Sequence, residues 1–427
     1  MAVASSDGAD LAGRIRAFVE PRRRQIIDFL GQLIDQRGGS EDREAVNRVG
    51  ALLAARMTPL GFTLQRHTPR VYGDHLVFKN HSGPSGRTRQ RHQRAPDERP
   101  GHASALCPDN RAAGPGCVVL AGHMDTTFTD YSELPAFHVA GEHAVGPGTA
   151  DMRGGLLVAL EALECLHHLG LLRRIPVTVI CNSDEERGSS TSRHLFEAEA
   201  ASARWALVFE CAGRGGEVVV GRRGKLSVRL SVEGRAGHAA DRSLPKASAI
   251  EEIAHKVIAL EALNDGRPGA SFNVGLIRGG TAGNTFPRHA SIDFDVRYLE
   301  RPDRAWVEEQ IARIADSNRA DGVKAQIEWT SERPVWEERT DDDDQATLLE
   351  TIAAAAKMLE LPYATEFRHG TSDANFLASG GVATVDGMGP VGFQDHSDQE
   401  HIVLETLFER IRLTAIVLHR LYPQQGC

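Results

Sequence analysis

Early in the chain, apolar residues recur every three or four positions. In "PRRRQIIDFLGQLIDQ", Ile26, Ile27, Leu30, Leu33 and Ile34 form one stripe; in "REAVNRVGALLAARM", Val46, Val49, Leu53 and Met57 form another. A stripe with that spacing predicts an amphipathic helix. Pro21 suits the first turn of one, and Pro59 with Gly61 ends the other. Two helices are therefore expected to open the chain. The pattern then changes to short unbroken apolar runs: "CVVLAGH" (117–123), "IPVTVICN" (175–182) and "WALVFEC" (205–211), with the helical "GGLLVALEALECLHHLG" (154–170) between the first two. Apolar strands separated by helices predict a mainly parallel sheet covered on both faces.

Near residue 223 the period changes again. "KLSVRLSVEG" alternates strictly, putting Leu226, Val228, Leu230 and Val232 on one face. Helix "AIEEIAHKVIALEAL", strands "SFNVGLI" and "ASIDFDVRYL", helix "RAWVEEQIARIAD" and strand "VKAQIEWT" follow. That order is the split β-α-β arrangement of a ferredoxin-like α+β unit. Helix "QATLLETIAAAAKMLEL", strand "GVATVDGM" and a last helix over 402–421 resume the earlier style. The expected organisation is α/β: one domain in two parts, 1–222 and 334–427, interrupted by an inserted unit, 223–333. Residues 81–116 are rich in Gly, Pro and Arg and poor in large apolar side chains. They read as a long solvated loop, with a lid or partner-binding arm as the alternative.

Composition narrows the classes of function. A chain of 427 residues favours two domains. The net charge of −9 weighs against a general nucleic-acid binder, although Arg87, Arg89, Arg91 and Arg94 leave an RNA-binding test worth making. No run approaches the roughly 20 apolar residues of a membrane span, and the N-terminal stretch lacks a signal-peptide core. A cytoplasmic protein without a membrane partner is expected. Cysteines 107, 117, 165, 181, 211 and 427 are scattered, with no C-x-x-C pair, so reduced and mostly buried thiols are expected.

Candidate chemistry sits at the strand ends. In "LAGHMDTTF", His123 and Asp125 are two apart, so they share a strand face and the carboxylate can orient the imidazole. In "GPGTADMRGG", Asp151 lies in a glycine-rich turn before a helix. It either caps that helix or, having two oxygens, bridges two cations. "CNSDEERGSS" sets Glu185 beside Glu186 where a strand stops. A capping box from Ser183 to Glu186 explains only one glutamate. A metal site explains both: Glu186 binds a divalent cation whose charge offsets the repulsion, and Glu185 stays free to accept a proton from water. Glu210, in "WALVFE", and His396, in "GFQDHSDQEH", fit the same set. His123, Asp151, Glu186, Glu210 and His396 offer imidazole and carboxylate donors without thiols, which suits one or two ions of zinc, manganese or cobalt. All fall at strand ends or in loops of the proposed sheet domain, where ligands of open α/β sheets lie.

The ordered motifs "GHMDTTF", "GTADMRGG", "SDEERGS", "FEC", "GRAGHAADR", "GGTAGNTFPRHASIDFDVR", "HGTSDANF" and "DHSDQEHI" resemble the co-catalytic dimetal amidohydrolases and exopeptidases. That family includes glutamate carboxypeptidase, acetylornithine deacetylase, succinyl-diaminopimelate desuccinylase and aminoacylase. The resemblance covers nearly the whole chain except 81–116, which is longer than the family's usual connection. It implies a mainly parallel-sheet metallohydrolase domain with an inserted ferredoxin-like dimerisation domain. It makes His123 and Glu186 terminal ligands of one and the other metal, Asp151 the bridge, and Glu210 and His396 the remaining ligands. Asp125 orients His123, and Glu185 is the general base. His238, in "GRAGHAA", is expected to reach the partner subunit's site and help hold an oxyanion. Asn284 and Arg297 are expected at the substrate, the arginine on a carboxylate; a plain ion pair of Arg297 with Asp293 or Asp295 is the alternative. Ser372 and Asp373 are expected at the substrate or as a helix N-cap. Hinges are expected near 222–224 and 333–336, in a homodimer or higher homo-oligomer.

The expected reaction is hydrolysis of a C–N bond in a small carboxylate-bearing substrate. An amide leads, either before a C-terminal glutamate or other amino acid or in an N-acyl amino acid. The alternative is an aminohydrolase releasing ammonia from an electron-poor carboxylated aromatic amine or amidine. A non-catalytic binding protein derived from the family is a more remote reading, and the intact base and ligands argue against it.

Overall fold

The computed structural model describes residues 4–82, 116–241, 243, 245–339 and 341–423, without the side chains of 4–9. The proposed 81–116 loop falls outside them apart from its ends, as do Arg87, Arg89, Arg91, Arg94, Cys107 and Cys427.

Three helices open the chain, where the stripes predict two. Ala4–Val19 precedes the expected pair, with Leu11, Ile15 and Val19, four apart, buried. The next two are Arg23–Ile34, entered through a 3-10 turn holding Pro21, and Arg43–Met57, capped by Asp42 on the Ala45 N–H. Gly61, at φ 91°, closes the turn that follows. The central sheet runs Thr63–His67, His75–Lys79, Val177–Asn182, Cys117–His123, Ala203–Val208, Ala383–Val385. The last four are parallel; the first two add an antiparallel edge. Cys117–His123 is buried throughout, with Val118 and Leu120 in one core and Val119 and Ala121 in the other. Helices Gly154–His168 and Leu404–Leu421 supply the first core, and Phe196, Phe376 and Leu377 the second.

Residues 224–333 form a separate four-stranded antiparallel sheet: Gly224–Glu233, Ala270–Gly279, His289–Tyr298 and Lys324–Arg333. Its spatial order is second, third, first, fourth, the ferredoxin-like order. Leu226, Val228, Leu230 and Val232 point under helices Ala249–Glu261 and Arg301–Asp316 into a core of their own. Where the chain enters and leaves this unit, Arg222 and Trp336 exchange backbone hydrogen bonds of 2.9 and 3.0 Å. Asn375 Nδ2 donates to both connectors, to the Arg223 carbonyl (3.0 Å) and the Pro334 carbonyl (2.7 Å).

Two expectations change at element ends. The strand at 205–211 stops at Val208, which frees Phe209, Glu210 and Cys211 to turn. The last helix starts at Leu404, because His401–Val403 joins a small surface sheet. Among the described residues no helix is long and apolar enough to cross a membrane.

Candidate metal centre

His123 ends the central strand and is buried. Its Nδ1 lies 3.0 Å from the Asp125 carbonyl oxygen and 3.4 Å from the Asp125 carboxylate. That carboxylate also accepts from Ser40 Oγ (2.7 Å) and from the backbone N–H groups of Glu185 and Glu186 (3.3 Å each). Asp125 thus ties the imidazole to the turn carrying the paired glutamates. No capping box forms there: Ser183 Oγ bonds the Gly73 carbonyl and His75, and the next helix starts only at Arg193.

Asp151 sits in the non-helical loop before helix Gly154–His168 and does not cap it. Its Oδ1 lies 2.8 Å from His123 Nε2, and its Oδ2 lies 3.0 Å from His396 Nε2. Glu400 braces the loop, accepting from the N–H groups of Gly148 (2.8 Å), Ala150 (2.8 Å) and Asp151 (3.0 Å). Arg153, fully buried, pins it from below by donating to the carbonyls of Met124 (3.0 Å), Leu33 (3.0 Å) and Gly38 (2.9 Å).

Glu210 lies 3.9 Å from His123 Nε2, and Glu186 lies 3.4 Å from His396 Nε2. The donor atoms of His123, Asp151 and Glu210 form one group within 4.8 Å, and those of Asp151, Glu186 and His396 form a second. The groups share Asp151, so each of its oxygens faces a different imidazole. Glu186 Oε1 is buried with no hydrogen-bond partner. An orphaned carboxylate oxygen in a crowd of acids is costly unless a cation meets it. The donor set fits one or two divalent ions on the terms that imidazole and carboxylate ligands set.

The electrostatics agree. Burial, with Asp151 adding to it, pushes the Glu210 carboxyl well up, while His123 opposes. Burial also raises Glu186 against its hydrogen bond from His396. For Asp151 burial acts upward too, but the hydrogen bonds with His123 and His396 win and hold it low. Hydrogen bonds to Asp151 and Glu186 lift His396 to about 11. Glu185 is pushed up to about 8 by burial, with Asp373 and Glu186 adding and Arg333 opposing.

Glu185 Oε1 lies 2.9 Å from Arg333, and its carbonyl accepts a second bond from the same guanidinium (3.0 Å). Arg333, the last residue of the inserted sheet, also pairs with Asp373 at 2.8 Å. Asp373 accepts from Asn182 (2.7 Å) and Ser189 as well, while Ser372 Oγ donates to Asp386 (2.7 Å) and accepts from the Ala374 N–H (3.2 Å). Ser372 and Asp373 are therefore turned inward and engaged, rather than facing an open cleft. His238 and Asn284 sit together on an exposed ribbon, where Gly237–His238 pairs with Thr285–Phe286 and Ala239 N donates to the Asn284 carbonyl. Among the described residues neither hydrogen-bonds the ligand cluster. Arg297 pairs with Asp295 (2.6 Å), opposite Lys225, which in turn lies opposite Arg333. Glu400, Arg153, Ser40 and Arg333 have no site role in the sequence reading, although Glu400 and Arg153 lie within "DHSDQEHI" and "GTADMRGG". Only Glu400, four after His396, and Arg153, two after Asp151, stand close enough in sequence to invite suspicion.

Known proteins match this architecture. The model of peptidase family M20/M25/M40 matches residues 119–420. Carboxypeptidase G2 of Pseudomonas sp. (strain RS-16) is 27% identical over 397 residues, covering 91% of this chain and 88% of that protein. The succinyl-diaminopimelate desuccinylase of Alkalilimnicola ehrlichii is 29% identical over 293 residues, 65% of this chain and 75% of its own. Aminopeptidase PepT from Bacillus cereus superposes with a TM-score of 0.69 at 19% identity, over 94% of this chain and 99% of its own. With the match spanning both core sheet and inserted unit, the chain belongs to peptidase family M20/M25/M40, whose members are metal-dependent hydrolases.

Proposed function

We propose that this protein hydrolyses an amide bond beside a free carboxylate in a small substrate, either releasing a C-terminal glutamate or other amino acid or cleaving an N-acyl amino acid. The observation that carries this is the pair of donor groups sharing Asp151, with Glu185 on the same turn as Glu186 and its backbone N–H on Asp125. His123, Asp151 and Glu210 would hold one divalent ion, and Asp151, Glu186 and His396 the other, with zinc the leading candidate. When bound, such ions polarise the scissile carbonyl and lower the pKa of water. Glu185 takes the proton of the attacking water and returns it to the leaving amine. Arg333 holds that carboxylate on one side, so it presents one face to the reaction. Asn284 and Arg297 are assigned to the substrate, the arginine to its carboxylate, and His238 to the oxyanion. The names of the two relatives, a carboxypeptidase and a desuccinylase, support a substrate of this class.

The same reading includes a homodimer built through the inserted unit. Strand Ala270–Gly279 is an edge of its sheet and carries Leu276 and Ile277, 51% and 61% exposed. Ile258, on the neighbouring helix, is 68% exposed. An unpaired edge bearing apolar side chains suits a second copy. It would also let the ribbon with His238 serve a site beyond its own chain.

The test is a substrate panel run with metal analysis. N-acyl amino acids and C-terminal glutamyl amides should turn over, while carboxylated aromatic amines should release no ammonia. Ammonia from the latter alone would replace the amide reading with the aminohydrolase one. Glu185→Gln should keep its metal and lose ~10²–10⁴-fold in kcat. Full turnover by a metal-replete Glu185→Gln enzyme would dismiss Glu185 as the base.

A further inference from the structure

Arg410, on the last helix, is 6% exposed. A guanidinium so deeply buried normally meets a carboxylate. Among the described residues none lies within 4.0 Å: its hydrogen bond goes to the Gly216 carbonyl, at 2.6 Å. Glu217 is turned onto the Gly215 N–H. Glu409, half-buried on the same wall, forms no ion pair with it, and burial pushes that carboxyl up. Burial pulls the Arg410 guanidinium down to about 10; the charges of Glu409 and Glu217 oppose this without undoing it, and Arg368 adds to the fall.

Arg410 lines a cavity of about 270 Å³, and Gly216, whose carbonyl its guanidinium meets, lines it too. Ile352, Ala356, Val391 and Leu413 make its apolar wall, and Tyr363 and Phe393 its aromatic rim. Arg214 stands exposed at the mouth, its guanidinium 6.0 Å from the Phe393 ring centre. Charge and shape are complementary to one kind of guest: an anionic head on Arg410, with Arg214 beside it, and an apolar body against the helices. A cavity of about 150 Å³ accepts benzene, so this one has room for a ring and a short acid arm.

The cavity stands apart from the metal ligands yet touches their supports. Arg214 and Gly216 lie on the segment leaving Glu210, and Phe393 on the strand leading to His396. Those two segments are joined by a parallel bridge between Ala212 and Val391, with Ala212 N donating to the Pro390 carbonyl at 3.0 Å. We infer that this cavity is a second binding site, taking a small monocarboxylate with an apolar or aromatic body through Arg410, and that its occupancy alters turnover at the proposed metal centre without competing with substrate. The binding half stands on the cavity alone; the effect on turnover rests on the ligand assignment of Glu210 and His396.

The probe is 3-phenylpropionate, titrated calorimetrically into the full-length, zinc-reconstituted protein, with 3-phenylpropanol as the uncharged control. The acid should bind with a Kd below about 1 mM. The alcohol should bind at least about tenfold more weakly, for want of a charge-assisted bond. Arg410→Gln and the cavity-filling Ala356→Phe should each weaken acid binding about tenfold or more, and Arg410→Lys should restore part of it. Far-UV circular dichroism establishes that each variant is folded. Unchanged affinity in both Arg410→Gln and Ala356→Phe, or no saturable binding up to about 10 mM, overturns the site. Binding at the cavity with kcat and KM both unmoved overturns the coupling alone, and purely competitive inhibition that survives in Ala356→Phe assigns the acid to the catalytic cleft instead.

Discussion

Glu400 shows how one side chain can govern a centre it does not enter. Its two oxygens take three backbone N–H groups of the loop that presents Asp151, and burial lifts its own carboxyl to about 8. Glu400→Gln would turn one oxygen into a donor facing another donor. The expected result is a fold that survives and a zinc affinity lowered about 10–100-fold, read by competition with a chromophoric chelator. Unchanged affinity would show that the loop holds itself. Proton linkage belongs at this scale too. His396 is lifted to about 11 and His123 well above its usual value, although burial opposes both. A coordinated imidazole must lose its proton, so loading should release protons, and affinity should rise as pH rises towards those values. Zinc titrations in two buffers of different ionisation enthalpy measure the release, and none at neutral pH would count against these ligands. The five candidate ligands were legible as a set because each sits in a motif at a strand end or in a loop of the sheet domain, where sequence order and topology coincide. Arg333 was not: it lies beyond the strand "VKAQIEWT", in the expected hinge at 333–336, and its contact with Glu185 spans 148 residues.

At the scale of elements, the donor groups depend on how closely one helix meets one strand end. A Cβ on Gly155 would lie 1.8 Å from the Phe209 carbonyl oxygen, and backbone cannot swing aside as a side chain can. Gly155→Ala should therefore displace the segment carrying Glu210, costing about 1–3 kcal/mol or more. A lowered Tm together with weakened zinc binding is the expected pair of results; an unchanged melt would mean the helix shifts freely. Element types were readable here because the buried strands are unbroken apolar runs and those of the inserted unit alternate strictly. The ends were less so. Glu210 looked like the end of a strand, yet that strand finishes at Val208. Helix Ala4–Val19 has a polar start that hides the spacing of Leu11, Ile15 and Val19.

For the whole molecule, ion pairs tie the two units together at their joint. Besides the Arg333 contacts, Glu332 pairs with Arg193 of the main domain and with Arg304 of the inserted one. Burial works to raise its pKa, but the two arginines outweigh it and hold it below the usual glutamate value. Its contribution is thus fully present above that usual value and lost as pH falls through the lowered one. Glu332→Gln should flatten the acid limb of a Tm–pH curve; an unaltered limb would exclude this pair as the acid-sensitive tie. The proposed homodimer would draw on what the inserted unit leaves exposed. Leu276 and Ile277 stand on a free sheet edge, with Ile258 on the adjoining helix. A lysine on such an edge discourages pairing without touching the core. Ile277→Lys combined with Ile258→Lys should give a folded monomer by sedimentation, with zinc affinity intact, since the donor atoms all come from one chain. On the proposed role of His238 at a second subunit's site, its kcat should fall by about the 10²–10³-fold that one oxyanion donor supplies. A monomeric variant with full kcat would show that each chain completes its own site, and would send the search for the oxyanion donor back to the main domain.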